Sequence, residues 1–303
     1  MGRGICDGRV VIVTGAGRGI GRAHALALAA EGAKVVVNDL GAELDGRGRS
    51  TGPAGEVVDA IRASGGEAVA NGADVADWAQ AEKLVATAID TFGRLDVLVN
   101  NAGFLRDRML ANTSEDEWDA VIRVHLKGHF APTRHAVGHW RERAKAGEHV
   151  DARIINTSSG AGLMGSVGQG NYSAAKAGIA ALTMVEAAEF ARYGVTANAI
   201  APAARTRMTE QVFAETMAAP AEGEFDAMAP DNIAPLVVWL GSVESGGVTG
   251  RVFEVEGGKL GVADGWQHGP QFDKGARWEP NEIGAVVADL LAEAPVPAPV
   301  YGA

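Results

Sequence analysis

Short runs of hydrophobic residues alternate along the chain with longer segments that have helical periodicity. Seven runs have the length and the continuous apolar character of buried strands: Val10–Val13, Lys34–Asn38, Glu67–Ala73, Leu95–Val99, Arg153–Asn156, Val195–Ile200 and Arg251–Val255. Strands that are apolar on both faces are typical of parallel sheets covered on both sides. The pattern predicts an α/β, doubly wound fold with a seven-stranded parallel sheet and helices on both faces.

The helical segments have recognisable ends. A long helix is predicted from Ser114 toward Lys145, because Ser114 and Glu117 have capping-box spacing. Its length indicates contact with another subunit as well as core packing. Three further helices are each followed by a glycine that suits a left-handed cap: Gly19–Glu31 before Gly32, Ala54–Ser64 before Gly65, and Asp77–Phe92 before Gly93.

Three segments lack regular periodicity. The glycine-rich stretch Gly41–Gly55 is expected to be a surface loop, and Met208–Pro230 is either a substrate lid or a plain surface excursion. The proline-containing residues 292–303 are expected to form an extended arm. We therefore predict one domain over residues 1–263, with residues 264–303 as an extension without a domain of its own.

Composition and charge narrow the class of protein. The chain has 303 residues and a formal net charge of −11, so it lacks the clustered basic charge that nucleic-acid binding requires. Cys6 is the single cysteine, which excludes an internal disulfide and a CxxC metal site. Residues 1–7 lack the apolar stretch of a secretion signal, and the apolar run near Arg9 is too short to cross a bilayer. A cytoplasmic protein without metal, nucleic-acid or membrane partners is expected.

A glycine-rich turn directly follows the first strand and opens the first helix. Gly15, Gly19 and Gly21 let the backbone approach a pyrophosphate at the helix N-terminus, and Arg18 and Ile20 belong to the same turn. Such a turn alone also occurs at ordinary strand-to-helix connections. The strand before it, the helix after it and an acidic residue ending the second strand together favour a dinucleotide site.

Asp39 is that acidic residue and lies 18 positions beyond Gly21. Its carboxylate can accept hydrogen bonds from the adenosine ribose and would repel a 2′-phosphate, which favours NAD over NADP. Arg18 either pairs with a 2′-phosphate, which would favour NADP, or is a solvated surface charge. We expect the carboxylate to dominate and NAD to be the cofactor.

Tyr172 and Lys176 lie four residues apart on the predicted helix Gly170–Arg192, so both side chains project from one face. A neighbouring ammonium stabilises a phenolate and brings the pKa of tyrosine toward the neutral range. Ser159 follows the fifth strand at the sheet edge where open α/β folds bind ligands, and its hydroxyl can bond a substrate oxygen. A tyrosine–lysine pair alone is common on helix surfaces. With the serine and the upstream turn, it predicts hydride and proton transfer at a secondary alcohol or ketone.

Together these motifs resemble the short-chain dehydrogenases/reductases over nearly all of residues 8–263. The resemblance rests on Thr14–Gly21, Asp74-Val75, Asn100-Asn101-Ala102-Gly103, Ser159, Tyr172-Ser173-Ala174-Ala175-Lys176 and Asn198-Ala199-Ile200-Ala201-Pro202. It implies a Rossmann fold with Ser159, Tyr172 and Lys176 as catalytic residues. It also implies that Asp74 and Val75 flank the adenine and that Asn100, Asn101, Ala102 and Gly103 line the nucleotide cleft. Tyr172, Lys176 and Pro202 would also contact the cofactor, Lys176 at the nicotinamide ribose.

The chain departs from the family pattern at two positions. Val124-His125-Leu126-Lys127-Gly128 stands where the family usually has an asparagine as the fourth catalytic residue. Either His125 takes over a proton relay, or the relay runs through backbone and water and His125 is a packed helix residue. Pro202-Ala203 stands where the family has Pro-Gly, which leaves the geometry of the following loop open.

Further stretches are similar to the (3R)-hydroxyacyl-CoA dehydrogenase portion of peroxisomal multifunctional enzyme type 2 and its free-standing bacterial relatives. They are Val37-Asn38-Asp39-Leu40-Gly41, Leu105-Arg106-Asp107-Arg108-Met109, Val124–Gly128, Gly168–Tyr172, Arg207-Met208-Thr209 and Ala234–Leu240. This resemblance implies NAD-dependent oxidation of a 3-hydroxyacyl-CoA to a 3-oxoacyl-CoA, and the sequence leaves open whether the acyl group is a sterol side chain. Four loop arginines either meet the CoA phosphates or are solvated: Arg106, Arg108, Arg205 and Arg207.

Two other functions stay open on the sequence. One is a hydroxysteroid or simple secondary-alcohol dehydrogenase that uses the same three catalytic residues with NAD or NADP. The other is a nucleotide-sensing scaffold without catalysis, against which the intact Ser159, Tyr172 and Lys176 argue. The family also implies a homo-oligomer, either tetramer or dimer. Small residues permit close helix packing between subunits or within one: Ala174, Ala177, Ala181 and Ala188.

Overall fold

A single β-sheet forms the centre of the molecule. The computed structural model describes residues 4–42, 48, 52–206, 220–221, 223–263 and 265–302. The strands in these residues are β1 (Val10–Thr14), β2 (Lys34–Asn38), β3 (Glu67–Asn71), β4 (Val97–Asn100), β5 (Ala152–Thr157), β6 (Val195–Ala203), β7 (Val252–Glu256) and β8 (Lys259–Ala263). Their order across the sheet is β3-β2-β1-β4-β5-β6-β7-β8.

The strands β1 to β7 pair in parallel, which confirms the seven predicted strands. The eighth strand, β8, pairs antiparallel with β7 and was missed. Gly257 and Gly258 connect the two strands, and Gly257 has a φ of 54°, which suits a tight hairpin turn. Most of β8 is exposed, so it lacks the continuous apolar run used to predict strands. The diglycine between two short runs was the available signal.

Helices cover both faces of the sheet. They are α1 (Gly19–Ala30), α2 (Gly52–Ala63), α3 (Trp78–Phe92), α4 (Glu115–Ile122), α5 (Gly128–Lys145), α6 (Gly160–Met164), α7 (Gly170–Phe190), α8 (Ala234–Gly241) and α9 (Ile283–Glu293), with 3₁₀ turns at Leu110–Asn112, Ala191–Tyr193, Pro230–Asn232 and Glu244–Gly247. Val11 and Val13 of β1 pack in one core with α1, α2 and α8, whereas Val10 and Ile12 pack in the other with α3, α5 and α7. The doubly wound arrangement is confirmed.

The predicted long helix from Ser114 toward Lys145 is interrupted. Ser114 caps α4 through reciprocal capping-box bonds with Glu117, as predicted. Arg123–Lys127 then form a π-helical turn before α5 begins. Such a turn contains an extra residue and rotates the following side chains, and it is frequent at functional sites. One inserted residue barely changes the apolar periodicity of a long helix, so the sequence did not reveal it.

A cavity of about 1060 Å³ opens at the carboxyl ends of the strands. β1 lies between β2 and β4, so consecutive connections run to opposite sides of the sheet at this point. Open α/β sheets bind their ligands at such a switch point. The predicted cofactor and catalytic residues meet there.

Several sequence predictions are not tested by the fold. Three of the predictions fall wholly or mostly outside the described residues. They concern the loop Gly41–Gly55, the segment Met208–Pro230, and Arg207. The division into one domain over residues 1–263 and an extension over 264–303 stays a prediction. Among the helices that the structure describes, none has the length and apolar character needed to span a membrane.

Candidate active site

The turn after β1 allows close approach of a ligand. Gly15 and Gly19 have positive φ angles of 63° and 52°, which glycine adopts without strain. A Cβ atom on Gly21 would lie 2.2 Å from the carbonyl oxygen of Gly15, so no side chain fits there. The predicted cofactor residues of this turn all line the cavity at the N-terminus of α1: Gly15, Arg18, Gly19, Ile20 and Gly21. The turn therefore fits a pyrophosphate bound by backbone N–H groups.

Asp39 follows β2 and lines the same cavity. Its carboxylate accepts hydrogen bonds from the backbone N–H groups of Gly17 at 2.8 Å and Gly41 at 2.7 Å. These bonds hold the carboxylate beside the turn, and its remaining lone pairs are available to ribose hydroxyls. Arg18 is exposed and also lines the cavity, so both charges considered for the cofactor choice border it.

The loop after β3 forms the next part of the wall. Asp74 and Val75 both line the cavity. The Asp74 carboxylate pairs with the guanidinium of Arg123 at 2.7 Å and accepts from the Ala76 N–H at 2.9 Å. The loop is thus fixed to the π turn, which places Asp74 and Val75 where an adenine could lie against them.

The loop after β4 continues the wall. Asn101, Ala102 and Gly103 line the cavity, and the Asn101 side-chain amide donates to the carbonyl of Thr14 at 3.0 Å. Asn100 does not line it, so that expectation from the family resemblance is wrong. Its side chain is fully buried and donates to Thr133 and Asn156, both at 2.9 Å, because alternate strand residues point into the helix layer instead of the cleft.

Ser159 and Tyr172 come together at the carboxyl end of β5. Ser159 is the N-cap of α6, and its Oγ accepts from the Ala161 N–H at 3.2 Å. Tyr172 lies in the first turn of α7 and is hydrogen-bonded to the Ser159 side chain. Both residues and Pro202 line the cavity. One substrate oxygen can therefore contact both hydroxyl groups.

Lys176 lies one turn after Tyr172 on α7 and is only 2% exposed. Its Nζ lies 5.5 Å from the centre of the Tyr172 ring and donates to the Thr157 carbonyl at 2.6 Å. Burial lowers the pKa of Lys176 to about 7. The structure thus brings the three predicted catalytic side chains to one place, with the amine held between the tyrosine and β5.

The pKa of Tyr172 differs from the sequence-based expectation of a lowered value. Burial raises this pKa, the hydrogen bond with Ser159 opposes the rise, and the charge of Asp107 adds to it. The nearby ammonium, which the spacing of Tyr172 and Lys176 reveals, favours the phenolate. The loss of hydration, which only the folded chain creates, favours the neutral phenol. Tyr172 therefore keeps its proton at neutral pH in this structure.

His125 lies in the π turn and is 2% exposed. Its Nε2 is 2.7 Å from the carbonyl oxygen of Phe104, and its ring meets the Tyr172 ring edge-on with centroids 5.2 Å apart. A Cβ atom on Gly103 would lie 2.2 Å from the His125 ring. Burial lowers the pKa of His125 to about 3, and the charge of Lys176 acts in the same direction. The imidazole is therefore neutral at physiological pH and packed between the tyrosine and the loop after β4.

The loop arginines have partners within the chain. Arg108 pairs with Glu117 at 2.8 Å, and Arg205 pairs with Asp226. Arg106 lies over the Phe104 ring. None of these three lines the cavity, whose arginines among the described residues are Arg18 and Arg123. These contacts favour the interpretation that the three arginines are ordinary loop residues and do not bind the CoA phosphates.

Among the cavity residues that were not assigned from the sequence, two lie close to the catalytic residues: Gln169 and Tyr301. Gln169 is 6% exposed and donates to the Asp107 carboxylate at 2.8 Å. It stands three residues before Tyr172, in a stretch noted only as a mark of the subgroup. Tyr301 also lines the cavity, although it is far from the catalytic residues in sequence. No local pattern could have placed Tyr301 there.

The fold and the site define a nicotinamide-dependent oxidoreductase that acts on a CH–OH group or its ketone. A family model described as short chain dehydrogenase matches residues 9–216. The chain belongs to the short-chain dehydrogenase family.

Known proteins resemble the chain over nearly its whole length. A crystal structure of a short chain dehydrogenase from Mycobacterium avium is 68% identical, with a TM-score of 0.89 and coverage of 99% of this chain and 100% of that one. Hydroxyacyl-CoA dehydrogenase ChsB1 of Mycobacterium tuberculosis is 47% identical over 293 residues, which are 94% of this chain and 89% of that protein. Peroxisomal multifunctional enzyme type 2 of Mus musculus is 48% identical over 281 residues, which are 93% of this chain and 34% of that protein. The chain therefore spans about a third of the mouse protein.

Proposed function

We propose that the protein oxidises a 3-hydroxyacyl-CoA to the 3-oxoacyl-CoA with NAD. The observation that supports this most is the convergence of Ser159, Tyr172 and Lys176 on the cavity that the glycine turn and Asp39 also border. The hydroxyacyl-CoA dehydrogenase name of the Mycobacterium tuberculosis relative supports the substrate class. Fatty acyl and sterol side-chain thioesters both fall within this class.

NAD, not NADP, is the proposed cofactor. A 2′-phosphate on the adenosine ribose would meet the Asp39 carboxylate, which is fixed by its bonds to Gly17 and Gly41. The pyrophosphate would bind the turn Gly15–Gly21, and the adenine would lie beside Asp74 and Val75. When bound, the nicotinamide supplies the acceptor for the hydride that leaves C3 of the substrate.

The chain's own groups would handle the proton. Ser159 Oγ donates to the substrate oxygen and fixes its position beside Tyr172. In oxidation, Tyr172 first loses its own proton to solvent, and the phenolate Oη then accepts the hydroxyl proton of the substrate. In reduction, the phenol gives this proton to the substrate oxygen. Lys176 in its ammonium form lowers the free energy of the phenolate, which opposes the effect of burial on Tyr172.

His125 is proposed as a positioning residue. Its Nε2 is occupied by Phe104, and its ring holds the edge of Tyr172. His125→Ala is expected to reduce kcat by about tenfold, as when a catalytic group loses its orientation. The pH profile should keep the same ionisations, because burial lowers the pKa of His125 to about 3 and the ring is neutral near physiological pH. An altered profile would favour the proton relay instead.

Subunit association through α4, α5 and α7 is also proposed. A groove of about 810 Å³ between these helices is lined by Leu126, Phe130, Leu182 and Val185, among others. Phe130 and Val185 are 44% and 50% exposed, so a second copy could cover them. Light scattering coupled to size exclusion measures the mass: a dimer or tetramer is expected, and a monomer would contradict the proposal.

A comparison of substrates tests the proposed reaction. Purified protein is assayed for NADH oxidation with acetoacetyl-CoA and with a free ketosteroid at equal concentrations. The proposal predicts a higher kcat/KM for the thioester. Turnover of the free ketone alone would indicate a hydroxysteroid or simple alcohol dehydrogenase. NADH binding without turnover of any carbonyl compound would indicate a nucleotide-sensing scaffold.

A further inference from the structure

Residues 300–302 contact the main body of the molecule at the rim of the cavity. The described residues between 265 and 302 include none that is buried, so this segment runs along the surface. At Tyr301 the backbone forms a parallel bridge with Ser166. The Val167 N–H donates to the Tyr301 carbonyl at 2.9 Å, and the Tyr301 N–H donates to the Gly165 carbonyl at 3.2 Å. These main-chain bonds fix the position of Tyr301 beside α6.

Glycines at both ends of α6 make room for the segment. A Cβ atom on Gly160 would lie 3.0 Å from Cε2 and 3.1 Å from Oη of Tyr301, so the phenol ring lies directly against the Gly160 backbone. Gly165 has a φ of 80°, and a Cβ atom there would lie 3.4 Å from Val300. A larger residue at either glycine would push the segment away. The contact is thus specific to these residues.

Gly160 directly follows Ser159, so the Tyr301 ring lies next to the serine proposed to hold the reacting oxygen. Tyr301 lines the same cavity as Ser159, Ser166 and Gln169. The residue is still 50% exposed. A substrate bound between Ser159 and the cavity mouth would cover that exposed face.

Apolar side chains line part of the cavity that Tyr301 borders. They include Phe104, Leu105, Ala161 and Met228. Outside this lining, Val300 lies beside Gly165 and Val167 beside Gly302, and the two valines are 42% and 46% exposed. An apolar lining is typical of a site for an apolar ligand, so an acyl chain matches it better than a charged or sugar-like group.

We infer that Tyr301 is a specificity-determining residue, whose ring contacts the acyl portion of the substrate close to its reacting carbon. The inference rests on the proposed function, because it requires a 3-hydroxyacyl thioester in the cavity. It adds to the active site a residue from the segment that follows the sheet. Its contacts are with Gly160, Gly165 and Val167, whereas the nucleotide is proposed to bind the turn Gly15–Gly21.

Three variants test the inference in the full-length enzyme. Tyr301→Ala removes the ring, and Tyr301→Phe keeps it without the hydroxyl. Phe272→Ala is the matched control, since Phe272 lies in the same segment, is 61% exposed and contacts Trp278 instead of the cavity. KM is measured for a short and a long 3-hydroxyacyl-CoA, and separately for NAD.

Tyr301→Ala should raise KM for the acyl-CoA by about tenfold, which corresponds to about 1.4 kcal/mol of lost contact, and leave KM for NAD unchanged. Tyr301→Phe should restore the acyl-CoA KM to within about twofold of the wild-type value, because the ring supplies the contact. Phe272→Ala should behave as the wild type.

Suppose that the wild-type enzyme is active and that Tyr301→Ala has an equal or lower KM for the acyl-CoA. This result would overturn the inference and leave the proposed function intact. An equal rise in KM for NAD would also overturn it, since the variant would then have disturbed the whole cavity. Absence of wild-type turnover with every 3-hydroxyacyl-CoA would instead overturn the proposed function, and the inference with it.

Discussion

The Nζ atom of Lys176 lies 5.5 Å from the centre of the Tyr172 ring, while its hydrogen bond goes to the backbone of Thr157. The lysine is thus close enough to act on the phenol by its charge without bonding the ring. Burial raises the pKa of Tyr172 and lowers that of Lys176 to about 7. The charged forms of both groups are therefore disfavoured alone and favoured together.

Replacing Lys176 by alanine should therefore move the ionisation that governs alcohol oxidation to higher pH. Without the ammonium, the Tyr172 phenolate loses its nearest positive charge, and kcat/KM at pH 7 should fall by roughly a hundredfold or more. The pH dependence of kcat/KM for the variant and the wild type measures both effects. Lys83→Ala, at an exposed position on α3 outside both the cavity and the helix groove, is the control. If Lys176→Ala lowered kcat/KM by the same factor at every pH, this would contradict an electrostatic role of Lys176.

Replacing Asp39 by alanine should relax the preference for NAD. The substitution removes the negative charge that a 2′-phosphate would meet, so the ratio of kcat/KM for NAD to that for NADP should fall by roughly tenfold or more. Asp59→Ala removes the same charge from an exposed site on α2 and should leave the ratio unchanged. An unaltered ratio in Asp39→Ala would show that another group selects the cofactor.

Glu186 should make stability depend on pH. The carboxylate is 2% exposed, accepts a hydrogen bond from Asn156 at 2.7 Å, and has its pKa raised by burial to about 7. The pKa of Glu186 is therefore higher in the folded state than in the unfolded state, where it is near 4.5. The contribution of Glu186 to the free energy of unfolding is full below pH 4.5 and is lost as the pH rises through 7.

Glu186→Gln should thus be more stable than the wild type at pH 8, by roughly 3 kcal/mol, and similar to it near pH 4.5. Urea unfolding at both pH values measures the difference. Glu189→Gln, exposed on the same helix, should show no such gain. If the free energy of unfolding changed with pH equally in the wild type and in Glu186→Gln, burial of Glu186 could not be the cause of the pH dependence.

Seven of the eight described strands and most of the described helices could be predicted, because each leaves a local pattern. β1 to β7 are apolar runs, and Ser114 with Glu117 gives the capping box. The glycine turn, Asp39, Ser159, Tyr172 and Lys176 were found for the same reason, since their spacing along the chain has a direct structural meaning.

Other features depend on tertiary contacts and left no such pattern. The π turn at Arg123–Lys127 adds one residue to a helix, and the position of Asn100 depends on which face of β4 it occupies. The raised pKa of Tyr172 follows from burial that only the folded chain creates. Tyr301 reaches the cavity through a few main-chain bonds to the loop after α6.

The most direct test of the account is the removal of a single oxygen atom. Tyr172→Phe keeps the ring against His125 and should still bind NADH, but it lacks the group that takes the hydroxyl proton. NADH formation from a 3-hydroxyacyl-CoA should fall by roughly a hundred- to ten-thousandfold. Tyr193→Phe, which lies outside the cavity, should retain full activity. Undiminished NADH formation by Tyr172→Phe would contradict the account.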